Sequence, residues 1–123
     1  MKYDLAPFGK YPYGRELFGI LHEENTDGCS SFSLTYPSEE FPPILLMNEK
    51  GCNIKQKAVN AEHTGAEMLI IIRSDLTTHE NLSDKTHDLV NITVDIPTIT
   101  VTKETGDKLQ KLIRSKGQIL MKF

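Results

Sequence analysis

The sequence predicts a mixed α/β domain in which a β-sheet is flanked by two main helices. An apolar run, a glycine turn, a helix cap and a helix stop follow one another between residues 44 and 66, and a second apolar run follows at once over Met68 to Ile72. Strands that are apolar on both faces are typical of parallel neighbours buried beneath a helix. A second capped helix pattern begins after Thr102 and ends at Gly117.

The first third of the chain predicts irregular structure and one strand. Prolines and glycines separate the aromatic residues of positions 1 to 15, and we expect these aromatics to pack on the core as a lid, with a recognition surface as the alternative. Leu17 to His22 predicts a strand, and Phe32 to Leu34 predicts a short strand or an extended segment. Pro42 and Pro43 then keep the chain extended up to a strand over Ile44 to Met47.

The first helix is predicted over residues 53 to 64. Asn53 can cap its amino terminus together with Gln56, and Gly65 can adopt the left-handed conformation that stops it. Ile54, Ala58 and Ala61 form the narrow apolar stripe of a helix that approaches a sheet closely.

Residues 73 to about 95 form a long polar segment, which in a compact domain is usually functional or disordered. Its acidic and histidine side chains could in principle hold a metal ion, but their irregular spacing favours a solvated loop. These side chains are Asp75, His79, Glu80, Asp84, His87 and Asp88.

The last third predicts a strand, a helix and a strand. Residues 96 to 101 alternate between apolar side chains and threonine, which indicates a strand with one solvated face. Thr102 can cap a helix over Lys103 to Ser115 that buries Leu109, Leu112 and Ile113. Gly117 ends this helix, and residues 118 to 123 form the final strand.

Size and charge restrict the function. The 123 residues suit a single domain spanning 1–123, and a net charge of −3 gives no electrostatic reason to bind nucleic acid or an anionic membrane. The apolar runs are too short to cross a bilayer, and the amino terminus lacks the apolar block of a secretory signal. There is no Gly-x-Ser-x-Gly elbow and no phosphate-binding glycine loop, so we expect no enzyme active site, cofactor or metal.

The two cysteines, Cys29 and Cys52, allow a disulfide or two unlinked buried thiols. A zinc site is disfavoured by their spacing, and thiolate catalysis would need a histidine partner that nothing local provides. We favour the disulfide, because each cysteine follows a glycine in a turn and both turns are expected at the same end of the sheet.

The central motif resembles that of the protease-associated domain family. The resemblance rests on Gly51-Cys52, Lys57, Asn60-Ala61 and Gly65-Ala66 in order along a strand, a turn and one helix. Flanking segments are similar to the luminal domain of vacuolar sorting receptors, a branch that binds cargo for a lytic compartment. The flanking matches are Phe8-Gly9, Pro12-Tyr13-Gly14, Gly19, Asn25 to Cys29, Asn91-Ile92-Thr93, Ile96-Pro97 and Gly106 to Leu109.

The resemblance implies a protease-associated-type sheet or open barrel and a non-catalytic domain that binds peptides or proteins, soluble hydrolases among them. By position, the ligand site would comprise Asn48, Glu49, Lys50, Gly51, Cys52, Arg73, Ser74 and Asp75. Family receptors have an arginine where this chain has Glu49 or Lys50, which leaves the charge preference of the ligand open. Amides of a glycine turn before a helix could also accept an anion.

A location in the secretory or endosomal lumen, or outside the cell, follows from the same resemblance. Two sequons, at Asn81 and Asn91, are candidate glycosylation sites that fit this route. Any membrane attachment would come from receptor parts outside this chain. The alternative within the same fold is an accessory domain that shapes substrate access in a secreted or membrane-bound protease.

Overall fold

A computed structural model describes residues 3–6, 8–11, 17–24, 26–34, 41–73, 93–117 and 119–122. The elements in chain order are β1 (Asp4–Leu5), β2 (Phe18–Glu23), β3 (Pro43–Asn48), α1 (Ile54–His63), β4 (Met68–Ile72), β5 (Thr98–Val101), α2 (Lys103–Lys116) and β6 (Ile119–Lys122). Every predicted helix and long strand is present. The two-residue strand β1 was not predicted.

All six strands form one mixed sheet in the order β1-β5-β4-β3-β2-β6. The four inner strands β2, β3, β4 and β5 run parallel, whereas β1 and β6 pair antiparallel at the edges. The sheet with two helices confirms the predicted fold class. Because the carboxyl ends of parallel strands meet at one edge, the segments that follow β2, β3 and β4 lie together there.

Apolar side chains of alternating positions fill both faces of the sheet. Leu45, Met47, Leu69 and Ile71 pack with α1 on one face, and the opposite face packs against Leu109 of α2. The second face consists of Leu17, Leu21, Ile44, Leu46, Met68, Ile70, Ile72, Ile99 and Val101. Burial on both sides explains why β3 and β4 are apolar at almost every position.

The helix boundaries follow from their caps. The side chain of Asn53 accepts a hydrogen bond from the amide of Lys55 at 2.7 Å, and that of Thr102 accepts from Thr105 at 3.2 Å. Gly65 follows α1 with φ of +89°, the left-handed stop predicted from the sequence.

Two predictions about burial were wrong. Thr98 and Thr100 were expected on a solvated face of β5, yet both are fully buried, because β5 lies between β4 and β1 and both its faces are covered. The Thr98 hydroxyl donates to the carbonyl of Ile96 at 3.2 Å, which meets its hydrogen-bonding requirement. Leu112 of α2 is 43% exposed, since the buried stripe of that helix runs through Leu109 to the partly buried Ile113.

The amino-terminal segment packs as a lid in part. Phe8 contacts the core on the α1 face, and the Tyr11 hydroxyl lies 2.8 to 2.9 Å from three carbonyl oxygens, one of them that of Thr98 in β5. Tyr3, in contrast, is 48% exposed. Phe32 and Leu34 form no strand in the described part of the chain, and both side chains pack on the α1 face.

Candidate functional site

The predicted ligand-binding turn lies at the carboxyl edge of the parallel strands. Asn48 is the last residue of β3, and the amide of Glu49 donates to the carbonyl of Ile72 in β4 at 3.1 Å. Gly51 has φ of +100°, which is a left-handed conformation that strains other residues. The turn therefore extends beyond the sheet with its start fixed to β4 and its end at Cys52.

A disulfide joins this turn to the loop that follows β2. Cys29 and Cys52 are bonded, with their Cα atoms 5.6 Å apart, as the sequence analysis favoured. The amide of Cys52 lies 2.9 Å from the sulfur of Cys29. Because this amide and that of Glu49 already donate within the protein, neither is free to donate a hydrogen bond to an anion.

Three side chains on one face of α1 hold the same loop through consecutive backbone carbonyls. The hydrogen bonds run from Lys57 to the carbonyl of Asp27, from Asn60 to that of Gly28 at 2.8 Å, and from Gln56 to that of Cys29 at 2.7 Å. Positions three and four apart share a helix face, so these three side chains can reach the same loop together.

Lys57 is the central residue of this arrangement. Its side chain is fully buried, and its ammonium donates to the carbonyls of Asp27 and Lys50 and so ties the loop to the turn. Burial lowers the pKa of Lys57, while the nearby carboxylates of Asp27 and Glu49 act in the opposite direction. Because it is enclosed, Lys57 stabilises the site rather than contacting a ligand.

Beside the turn lies a cleft of about 350 Å³, which we call the strand-end cleft. The ends of β2, β3 and β4 form its floor, the loop at 26–27 and Lys50 one wall, and α2 the other. The lining residues are Glu23, Glu24, Thr26, Asp27, Leu46, Met47, Asn48, Lys50, Ile72, Gln110 and Arg114.

The strand-end cleft contains side chains of both charges. Arg114 of α2 reaches Glu23 of β2, with Nη2 3.3 Å from Oε1. The other oxygen of Glu23, Oε2, is buried and has no hydrogen-bond partner among the residues that the structure describes. Buried acceptors are almost always hydrogen-bonded, so Oε2 is an unsatisfied acceptor of the Glu23 carboxylate beside the cleft.

The structure brings together only part of the predicted ligand site. Asn48 and Lys50 line the strand-end cleft, and Glu49, Gly51 and Cys52 adjoin it in the same turn. Arg73 follows β4 but pairs with Asp4 of β1 at 3.0 Å, on the side of the sheet that lies away from β2 and the cleft. The predicted site residues Ser74 and Asp75, the sequon residues Asn81 and Asn91, and most of the long polar segment lie outside the described residues. Within the described residues, no group of acidic, histidine and cysteine side chains is arranged to hold a metal ion.

Sequence reasoning missed most of the residues that line the cleft. Glu23, Glu24 and Asp27 directly follow a predicted buried strand, and polar residues at the carboxyl end of a parallel strand are the signal that could have found them. Gln110 and Arg114 offered no such signal. They lie on α2, one helical turn apart, and reach the site only through the packing of that helix.

The described residues combine a mixed sheet with a disulfide-fixed turn beside an open cleft. A family model described as PA domain matches residues 16–109. The chain belongs to the PA domain family, which confirms the resemblance described above.

Similar proteins include both receptors and a peptidase-like protein. Vacuolar-sorting receptor 5 and Vacuolar-sorting receptor 7 of Arabidopsis thaliana are 28% and 30% identical to the chain, each over 97% of it and 20% of the receptor. Signal peptide peptidase-like 4 of Oryza sativa subsp. japonica is 30% identical over 82% of the chain and 17% of that protein. The chain thus spans about a fifth of the length of these relatives.

Proposed function

We propose that this chain is a non-catalytic peptide- and protein-binding domain that recognises cargo for a sorting receptor. The observation that carries the proposal is the strand-end cleft next to a turn fixed on both sides, by the disulfide at Cys52 and by the buried Lys57. A fixed rim lowers the entropy cost of holding a ligand. The names of the similar sorting receptors support cargo as the ligand class.

The disulfide also supports a location in the lumen of the secretory or endosomal pathway, or outside the cell, because such bonds persist in oxidising compartments. Glycosylation at Asn81 and Asn91 would fit this location and stays a prediction. Among the described residues, neither helix has the length and apolar character needed to cross a bilayer.

Binding of peptides from soluble hydrolases by the 123-residue chain tests the proposal. Peptides should bind weakly, and the Lys50→Glu substitution should change which peptides bind, because Lys50 lines the cleft and is exposed. Lys108→Glu is a matched control, since Lys108 is equally a surface lysine but lies on α2 outside the cleft. Peptide binding that is unaffected by substitutions throughout 48–52 would exclude the turn as the site.

The second candidate function is an accessory domain that shapes substrate access in a protease. The similarity to Signal peptide peptidase-like 4 favours it. Both functions use the same fold, so the sequence of the full-length gene product separates them: a peptidase domain supports the accessory function, and its absence together with a receptor architecture supports cargo binding.

A further inference from the structure

We propose that the strand-end cleft selects peptides that present a basic side chain, and that Glu23 is the residue that receives it. This inference rests on the proposed function, because it names the ligand chemistry of the same cleft. It differs from the expectation of an anionic ligand at the amides of the turn, two of which the structure uses internally.

The first argument is the state of the Glu23 carboxylate. Its side chain is 24% exposed and lies at the end of β2. Oε1 lies near Arg114, whereas Oε2 is buried without a donor in the described part of the chain. A carboxylate oxygen without a donor favours ligands with N–H groups, and hydrogen bonds to a charged acceptor are about twice as strong as neutral ones.

The second argument is that the cleft already accommodates a guanidinium group. Arg114 approaches Glu23 through a single nitrogen at 3.3 Å, and its side chain is 68% exposed. An ion pair with one largely exposed member and a single long contact contributes little to stability. A guanidinium from a peptide could therefore bind the same carboxylate in place of Arg114.

The third argument is the remaining charge of the lining. Besides Glu23, the residues that line the cleft include two acidic ones, Glu24 and Asp27, and one further basic one, Lys50. When a ligand cation replaces Arg114 at Glu23, the lining keeps three acidic residues against the single basic residue Lys50. This distribution favours a positive over a negative ligand.

The test uses blocked pentapeptides of glycine and serine that differ only in a central arginine, glutamine or glutamate. Each is titrated into the 123-residue chain, and binding is followed by the NMR shifts of the amides that line the cleft. The arginine peptide should bind most tightly. Glu23→Gln should weaken the arginine peptide by roughly tenfold, the effect of one lost charged hydrogen bond, and leave the glutamine peptide unchanged.

Arg114→Gln provides an opposite prediction, because it removes the internal competitor for Glu23. It should strengthen binding of the arginine peptide, which a merely structural role of the pair would not produce. Glu104→Gln is the matched control, since this carboxylate lies on the same helix in an exposed pair with Lys108. It should change no affinity.

Two outcomes overturn the inference in distinguishable ways. A preference for the glutamate peptide, or weaker binding after Arg114→Gln, would show that the cations of the cleft are the ligand contacts. The cleft would then still bind peptides, but the proposed preference for a basic side chain would be wrong. If none of the three peptides shifts the cleft amides, the cleft does not bind peptides, and the proposed function loses its site as well.

Discussion

Removal of the Cys29–Cys52 disulfide tests whether it acts by restricting the unfolded chain. The two cysteines are 23 positions apart. For a closed loop of this size the chain-entropy relation gives about 11.5 cal/mol/K, or about 3.4 kcal/mol at 25 °C. We therefore expect the Cys29→Ala, Cys52→Ala double variant to lose about 3.4 kcal/mol of the free energy of unfolding.

The folded state should survive this change, because the hydrogen bonds from α1 hold the same loop independently of the disulfide. A domain of this size has an unfolding entropy of about 0.26 kcal/mol/K, so the melting temperature should fall by about 13 °C. Peptide affinity well below that temperature should change little.

Urea unfolding of both proteins measures the difference, and mass measurement with and without reductant first establishes that the bond is present in the wild type. Reductant should bring the wild type to the stability of the double variant and leave the variant itself unchanged. A loss below about 1 kcal/mol, with the bond established, would refute the entropic reasoning, because it would mean that the unfolded loop is already constrained.

Two further predictions concern packing and pH. Leu109→Ala should lower the free energy of unfolding by about 2–5 kcal/mol, because Leu109 is buried. Leu112→Ala should lower it by about 0.5 kcal/mol or less, because Leu112 is exposed. Equal losses in urea unfolding would contradict the assignment of the buried face of α2. Burial lowers the pKa of Lys57 in the folded state below the ordinary value of 10.5. As the pH approaches that value, the folded protein loses the Lys57 proton before the unfolded chain does, so the free energy of unfolding increases. The free energy of unfolding of the wild type should therefore rise relative to Lys57→Met between neutral pH and about pH 10, and a parallel pH dependence of the two proteins would count against a desolvated ammonium.

The predictable part of the fold is the part that local sequence determines. Apolar residues at consecutive positions require burial on both faces, so Met68 to Ile72 could be identified as an inner parallel strand without any knowledge of its partners. Asn53 and Gly65 likewise define the ends of α1 through local backbone chemistry. The disulfide could be favoured over two unlinked thiols, because the two turns that carry the cysteines follow neighbouring strands.

The cleft was harder to predict, because its walls meet only in the folded protein. Glu23 and Arg114 are 91 positions apart in the chain. Their contact depends on how α2 crosses the sheet, and no local pattern determines that crossing. The burial of Thr98 and Thr100 was not predicted for the same reason. Alternation shows that the two faces of a strand differ in polarity, but only the neighbouring elements decide which faces are covered.

The two helices contribute to the site in different ways. From one face of the sheet, α1 fixes the turn through buried groups, above all Lys57, and any change there alters stability. From the other face, α2 provides Arg114, which is largely exposed and can be replaced at little cost to the core. Lys50 is exposed in the same way on the opposite wall. Under the proposed function, ligand preference can therefore change through exposed wall residues while the framework that presents them stays intact.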